Sequence, residues 1–438
     1  WTAPVAGRLW IVQRTAAVST GAMNGPDPGR RQGLECDKLD KKGIDAVYEG
    51  YVGKLRGMKG LTDVLCDSWE VGSQNWTDIL PAEFAKRRGY RVERFWPAFS
   101  GRIVGSPEQT EKFFRDWRKT IAELFTENYS NRFRDLAHRD GLRYQCEPYG
   151  NSPADNYAYA RSADLPMSEF WVYGPEKYAK DKSVDENTFP DEQCIRTVAS
   201  AVHFHGKAFA DAESFTCAPG PNGKWRKGPA ILKASGDAAL AAGINRFTYH
   251  SITHQPWKDR YLPGAVMNVF GTVTELNSPM WPMMKPMVKY HTRLHYLLSR
   301  GQSASRLLYI APDDQVRKFP KAGSPAGIAY DIVGADDAAL VRIANGRIFA
   351  PSGVEYEAMV LADDAAYEYA SAAEVKRFKT AGVKIFREDE TAFAGITRDF
   401  ASEGASVRVR TIRRDGLRYC RNKLAMLRKR DALDRRAN

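Results

Sequence analysis

The chain has 438 residues, 43% of them hydrophobic and 27% charged, which gives room for two or three domains with ordinary globular cores. These values exclude a mainly disordered chain, and no run of about 18 uncharged apolar residues is present to span a bilayer. The formal charge is +12, but twelve Lys/Arg against three Asp/Glu between Val407 and Asn438 carry +9 of it, so the body is close to neutral.

The first residue is Trp1, and no charged n-region with an apolar h-region follows. The chain is therefore expected to be a processed product or a piece of a longer one. Arg8–Arg14 reads as a short strand, and Gly21–Gly33 as a Gly/Pro-rich loop. From Lys38 to Gly57, Ile44, Val47, Tyr48, Tyr51, Val52 and Leu55 recur at spacings of three and four, as on one face of a helix.

A repeating pattern follows, in which an apolar run ends in a carboxylate-bearing tip and leads into a helix. The runs are Leu61–Glu70, Gly141–Gly150, Leu165–Trp171, Lys207–Phe215 and Ile244–His250. Between the first two lies a long helix to about His138, opened by Ser106 as N-cap and Pro107 in the first turn. Further helices are expected at about 191–205, 229–242 and 279–299. Alternating strands and helices predict a parallel sheet, and a polar residue at nearly every strand tip predicts a (β/α)8 TIM-type barrel. Five strands are visible, so the expected fold is α/β with a partial barrel, three strands lying upstream. A doubly wound sheet is the structural alternative, but it gathers polar residues mostly at one switch point. Arg306–Ile310, Glu357–Ala362 and Val383–Phe386, with a helix over 372–381, predict a small α/β domain. The expected division is a barrel portion over 1–302, the small domain over 303–400 and a poorly ordered basic tail over 401–438.

Four glutamates stand at the expected tips: Glu70, Glu147, Glu169 and Glu213. A lone glutamate at a strand end is more often a solvated or capping residue, but a barrel converges four successive tips on one mouth. Trp69, Trp76, Tyr149, Phe170, Trp171 and Phe215 flank them. Aromatic faces stack on sugars, and paired carboxylates supply the acid and base of glycosidic cleavage. The plain alternative for these rings is core packing. His250 and His254 lie at the last tip and suit hydroxyl binding, since zinc wants a third ligand at a known spacing. His203 and His205, at a helix end on the opposite side, read as structural. No nucleophilic-serine or phosphate-binding glycine motif is present. The six cysteines lie far apart, without metal spacing, and read as small core residues. The basic tail lacks interleaved aromatics beyond Tyr419, so no nucleic acid is expected as a partner, and no membrane.

Asp67-Ser-Trp-Glu70-Val-Gly-Ser-Gln-Asn75-Trp76-Thr77, Lys86-Arg-Arg-Gly-Tyr90, Glu147-Pro-Tyr-Gly150, Pro166-Met-Ser-Glu169-Phe-Trp171, Ala212-Glu213-Ser-Phe-Thr216, Gly243-Ile-Asn-Arg-Phe247, His254-Gln-Pro-Trp257 and Leu34-Glu-Cys-Asp-Lys38 carry a resemblance. Over about residues 1–390 the chain resembles the bacterial α-L-rhamnosidases of glycoside hydrolase family 106. Segment 173–191 is longer than the family pattern, and residues from Arg418 onward depart from it.

The resemblance implies a (β/α)8 catalytic domain, inversion at the anomeric carbon, a calcium ion that contacts the sugar, a rhamnose-containing glycan as partner and a periplasmic or secreted location. If the visible tips are strands four to eight, Glu70 ends strand four and Glu213 strand seven. Glu70 is then expected as general acid and Glu213 as general base, about 6.5–9.5 Å apart to leave room for a water. Glu169 and Glu147 are the expected calcium ligands. Asp67, Trp69, Asn75, Trp76, Glu147, Tyr149, Trp171, His250, His254 and Trp257 are the expected sugar-binding residues, with Trp69 and Trp76 as an apolar wall for the acid. The alternative from another class is a non-catalytic carbohydrate-binding or vestigial barrel.

Overall fold

A computed structural model describes residue 7 and residues 11–24, 33–148, 152–172, 192–217, 227–256, 259–262, 264–265, 271–272, 274–311, 328–361 and 372–387. Tyr149, Trp257, segment 173–191 and the basic tail lie outside the described residues.

Five strands, β1 (Asp63–Cys66), β2 (Arg143–Cys146), β3 (Leu165–Trp171), β4 (Asp211–Thr216) and β5 (Arg246–Tyr249), form one sheet in sequential order. Every neighbour pair is parallel. Sequential parallel order requires a crossover after each strand, and helices supply it. The fold is thus five βα units of a TIM-type barrel followed by a smaller α/β unit.

Alternate residues explain why the strands sit this way. Tyr144, Cys146, Phe170, Ala212 and Phe247 face the helices and are buried. The opposite face carries Asp63, Arg143, Gln145, Glu169, Asp211, Glu213, Arg246 and Thr248. Those polar groups pair with one another across that face. Asp211, fully buried, takes Arg246 at 2.7 Å, Gln145 Nε2 at 3.1 Å and the Thr248 hydroxyl. Arg143 meets Asp63 at 2.6 Å.

Helix α1 (Lys41–Gly50) is shorter than its sequence periodicity; a 3-10 turn, Val52–Leu55, takes over. Helix α2 (Leu80–Arg88) precedes α3 (Pro107–Leu124), whose Ser106 hydroxyl accepts from Gln109 N–H at 3.2 Å. A π turn at Phe125–Ser130 joins α3 to α4 (Asn131–Arg139). Helix α5 (Asn156–Ser162) precedes β3, α6 (Glu192–His205) precedes β4, α7 (Pro229–Ala241) precedes β5, and α8 (Trp281–Leu298) follows. The expected strand at Arg8–Arg14 is not formed over its described residues, 11–14. Ile11 and Val12 are exposed there, and no strand among the described residues bonds their backbone.

In the small unit, β6 (Leu307–Ala311), β7 (Tyr330–Gly334), β11 (Ala358–Leu361) and β12 (Lys384–Arg387) form a parallel sheet in the order β12-β11-β6-β7. Between β7 and β11 come a short α9 (Ala335–Ala338) and a ribbon of β8 (Arg342–Ala344), β9 (Arg347–Phe349) and β10 (Glu355–Tyr356). Helix α10 (Ala372–Thr380) leads into β12.

Helix α6 joins the two units. Its residues Val198, Ala201 and Val202 share one core with Phe170, Phe215 and Phe247 of the barrel and with Ile310, Val333 and Tyr356 of the small unit. Its polar residues dock the same interface. His203 Nδ1 lies 2.8 Å from Asp331, His205 Nε2 lies 2.8 Å from Asp337, and Ser200 Oγ accepts from Ile332 N–H at 2.9 Å. Both aspartates are buried. The two histidines are structural, as their position in the sequence suggests.

Two further histidines lie on α8, His291 buried and His295 half-buried. His291 is 1% exposed and bonds the Tyr249 hydroxyl through Nδ1 at 2.7 Å, and His295 stacks one turn away, at 6.1 Å. Burial holds both pKa values down to about 4, and each also feels a neighbouring positive charge, His295 on His291 and Arg246 on His295. A base neutral in the fold but protonated when unfolded stabilises fully above about pH 6.5, and that contribution disappears as pH falls toward 4. The melting temperature should therefore drop between pH 6.5 and 4. In a His291→Phe/His295→Phe variant the slope over that window should be shallower, measured by thermal melts at stepped pH.

Candidate active site

The C-terminal ends of the five strands carry the chemistry. Asp67 follows β1 by one residue, Glu147 follows β2 by one, Glu169 lies two residues before the end of β3, Glu213 lies midway along β4, and His250 follows β5. Glu169 and Glu213 are paired in register, so they point to the same side of the sheet from adjacent strands.

One carboxylate oxygen from each of Asp67, Glu147 and Glu213 lies within 4.8 Å of the other two. Glu147 is fully buried, and neither of its oxygens has a hydrogen-bond donor among the described residues. Burial raises its pKa well above the ordinary carboxylate value, and the carboxyl of Asp67 and the charges of Glu213 and Glu169 push the same way. Glu213 is pushed up to about 7, by burial first and then by the Asp67 charge. Carboxylates this close cannot all stay ionised unless a cation lies between them; otherwise one of them holds a proton.

Glu213 owes its surroundings to a β-bulge. In the β3–β4 register Ser214 opposes Phe170 and Thr216 opposes Trp171, so Phe215 is an extra residue, at φ +70°. Its ring is buried against Phe170, Phe247 and His291. A left-handed φ costs a non-glycine residue about 1–3 kcal/mol. The bulge changes the alternation, so that Thr216 turns to the same side as Glu213. The Thr216 hydroxyl then donates to Glu213 Oε1 at 3.2 Å, and His250 Nδ1 sits 3.3 Å from the same oxygen and 3.2 Å from Thr216 Oγ1. Burial holds the His250 pKa down, partly opposed by the charges of Asp67 and Glu70.

Glu70 is exposed on the loop after β1, where its Oε1 accepts from the Ser68 hydroxyl at 3.3 Å. Its charge raises the pKa of both Glu213 and His250, so it belongs to the same mouth. The aromatic neighbours are placed differently. Trp69 packs on Phe125 at 5.3 Å and Tyr129 at 6.2 Å, and Lys38 Nζ lies 5.2 Å from its ring centre. Trp76 packs against Trp96 and Trp117 at 5.6 and 6.3 Å. Both rings contribute to the cluster that supports the β1 loop. Trp171 ends β3 and is half-buried, while Asn75 and His254 are exposed on loops.

The structure thus brings together Asp67, Glu147, Glu169, Glu213 and His250 with Glu70 nearby. Thr216 was not singled out in the sequence, because the bulge that turns it inward leaves no local mark. Asp67 was singled out for sugar binding, and its place in the carboxylate trio depends on how far β1 and β2 are offset.

A mouth of carboxylates at the tips of parallel strands is the layout of a barrel-type glycosidase. The comparisons agree. The chain belongs to glycoside hydrolase family 106, whose alpha-L-rhamnosidase model matches residues 1–402. It is 34% identical over 361 residues to a protein of Formosa agariphila named "Putative beta-glucuronidase", covering 80% of this chain and 29% of that one. Its structure is similar to that of a rhamnosidase from Novosphingobium sp. PP1Y, with a TM-score of 0.71 and 26% identity, over 87% of this chain and 37% of that chain. The chain therefore spans less than two fifths of either relative.

Because Glu147 is crowded by acids, its fold-dependent contribution is greatest below about pH 4.5 and is lost as pH rises. Glu147→Gln keeps the shape, removes one charge and offers an amide N–H to Asp67 or Glu213. In chelator at pH 7 this variant should be more stable than the wild type by on the order of 1 kcal/mol, read from chemical or thermal unfolding.

Proposed function

We propose that the chain forms the catalytic mouth of an α-L-rhamnosidase that removes terminal rhamnose from glycans by inverting, two-carboxylate hydrolysis. The observation that supports this best is the strand-tip set of Asp67, Glu147 and Glu213, facing Glu70, in a chain of the rhamnosidase family. Glu213 is the general base. A pKa near 7 suits a group that must take a proton from water near neutral pH, and Thr216 and His250 hold the carboxylate in place. Glu70, on the exposed loop, is the general acid that protonates the leaving oxygen. Hydrolysis adds water across the glycosidic bond: Glu213 takes one proton from the attacking water, and Glu70 gives one to the departing alcohol. On this reading Asn75, Trp171 and His254 contact the sugar.

The buried, donor-free oxygens of Glu147 beside Asp67 suit a hard divalent cation. Glu147, Asp67 and the neighbouring Glu169 would hold calcium, which would supply positive charge and orient sugar hydroxyls when bound. If so, calcium should raise the melting temperature, chelator should reverse this, and Glu147→Gln should remove the shift. An unchanged melt at millimolar calcium, with no calcium in elemental analysis, would reject the site.

The beta-glucuronidase name of the Formosa relative gives a second substrate to test. A glucuronide brings a further carboxylate into a mouth that already holds five acidic residues, which favours the neutral deoxy sugar. Assays on aryl α-L-rhamnoside and aryl β-D-glucuronide should show turnover of the first alone. Glu70→Gln and Glu213→Gln should each lower it by about 10³-fold or more, and NMR of the first-formed sugar should show the inverted anomer. Activity with Glu213 as base should fall as pH drops below about 7. Rhamnose binding without turnover would instead favour a non-catalytic barrel.

A further inference from the structure

Residues 35–40 precede the first strand of the sheet, yet they brace the loop that carries Asp67 and Glu70. Asp37 Oδ1 accepts from Gln74 Nε2 at 2.5 Å and from Leu39 N–H at 2.9 Å, and its Oδ2 accepts from the Thr77 hydroxyl at 2.7 Å. Gln74 returns a bond, its Oε1 accepting from Lys38 N–H at 3.1 Å. Both oxygens of Asp37 are thus committed to orienting one loop, and Thr77 is buried.

Lys38 is buried too, paired with Glu35, and its ammonium lies over Trp69 at 5.2 Å. Trp69 directly precedes Glu70, and its Nε1–H donates to Gly72 O at 2.6 Å, closing a turn around Glu70. Gly72 stands at φ +74°, where glycine adopts the turn without strain. The segment is itself fixed from below. Leu39 is fully buried and its carbonyl accepts from Asn128 at 2.7 Å, and a Cβ on Gly43 would fall 2.1 Å from the Asp37 carbonyl oxygen. Glycine is what allows α1 to pack this closely.

We infer that Asp37, with Gln74 and Thr77, is a positioning residue that sets where Glu70 meets the leaving oxygen. The inference rests on Glu70 being the general acid. A misplaced acid matters only when the leaving group needs its proton. An activated nitrophenolate leaves unaided, whereas an alkoxide does not. The effect of loosening the brace should therefore depend on the leaving group, while a loss of folded enzyme would lower every substrate alike.

The test compares the wild type with Glu70→Gln, Asp37→Ala, Asp37→Asn and Thr77→Val, on a dinitrophenyl and an alkyl α-L-rhamnoside. Glu70→Gln should lose activity mainly on the alkyl substrate. Asp37→Ala should follow it, with kcat/KM about tenfold or more lower on the alkyl substrate and less than about threefold lower on the activated one. Thr77→Val should show the same bias at smaller size, and Asp37→Asn, which keeps one acceptor, should recover most of the loss. Equal losses on both substrates in Asp37→Ala and Thr77→Val would overturn the inference while leaving Glu70 as the acid. If Glu70→Gln shows no leaving-group dependence, the acid assignment itself fails and the positioning role falls with it. Should Asp37→Ala melt below assay temperature, Thr77→Val decides alone.

Discussion

The close approach of three carboxylates at the strand tips is the constraint on which the site depends. Asp67, Glu147 and Glu213 come from three different strands, so their spacing is a property of the sheet rather than of any one segment. Parallel pairing sets it. Asp67 and Glu147 follow the adjacent strands β1 and β2, which lie about 4.8 Å apart, while Glu213 reaches them from β4, past β3, on the same side of the sheet. Holding them there raises their proton affinity, Glu147 through burial and Glu213 through burial and Asp67. What opposes the repulsion is the rest of the fold: the helices packed behind Tyr144, Phe170 and Phe247, and the Asp211–Arg246 pair within the barrel.

The bulge at Phe215 shows how the sheet reconciles packing with chemistry. A regular strand would place Thr216 on the opposite side from Glu213. Inserting Phe215 gives its ring to the core and its successor to the mouth, at the cost of a left-handed backbone. The core contact with Phe170, Phe247 and His291 offsets that cost, so one residue serves the hydrophobic cluster and the orientation of the glutamate together. The structure also separates two uses of tryptophan that composition cannot. Trp69 and Trp76 are neighbours of catalytic candidates in sequence, yet both rings pack on aromatics of the chain itself.

Much of the barrel was legible because parallel strands and their helices write strong local patterns. Apolar runs ending at Glu147, Glu169 and Glu213 place β2, β3 and β4, and Ser106-Pro107 places the start of α3 within a residue. What was not legible depends on pairing across long stretches of chain. Arg8–Arg14 has the composition of a strand, but a strand needs a partner, and residues 11–14 have none among the described residues. Conversely, Tyr330–Gly334 became β7 through its pairing with β6. The β8–β9 hairpin turns on Asn345-Gly346, both at positive φ, a turn signal flanked by strands of only three residues each. Of the site, the glutamates were readable as strand tips. Thr216 and the Asp37–Gln74–Thr77 brace were not, because a bulge and a contact across about forty residues leave no periodicity.

The role proposed for Glu70 requires that an exposed side chain be held in place. The glutamates of β3 and β4 are held by the sheet itself, so their geometry needs little further support. Glu70 stands beyond the end of β1 on a loop that has no strand hydrogen bonds of its own. Such a loop has to be fixed from outside the sheet, by side-chain hydrogen bonds and by a ring wedged beneath it. The structure supplies both, through Asp37 and through Trp69 between Lys38 and Phe125. The two carboxylates proposed as acid and base are therefore positioned by different means. Glu213 is held by strand pairing on both sides, and Glu70 is only as well placed as the segment preceding α1. Changes in the first forty residues should thus act on the acid and spare the base, although both groups share one mouth.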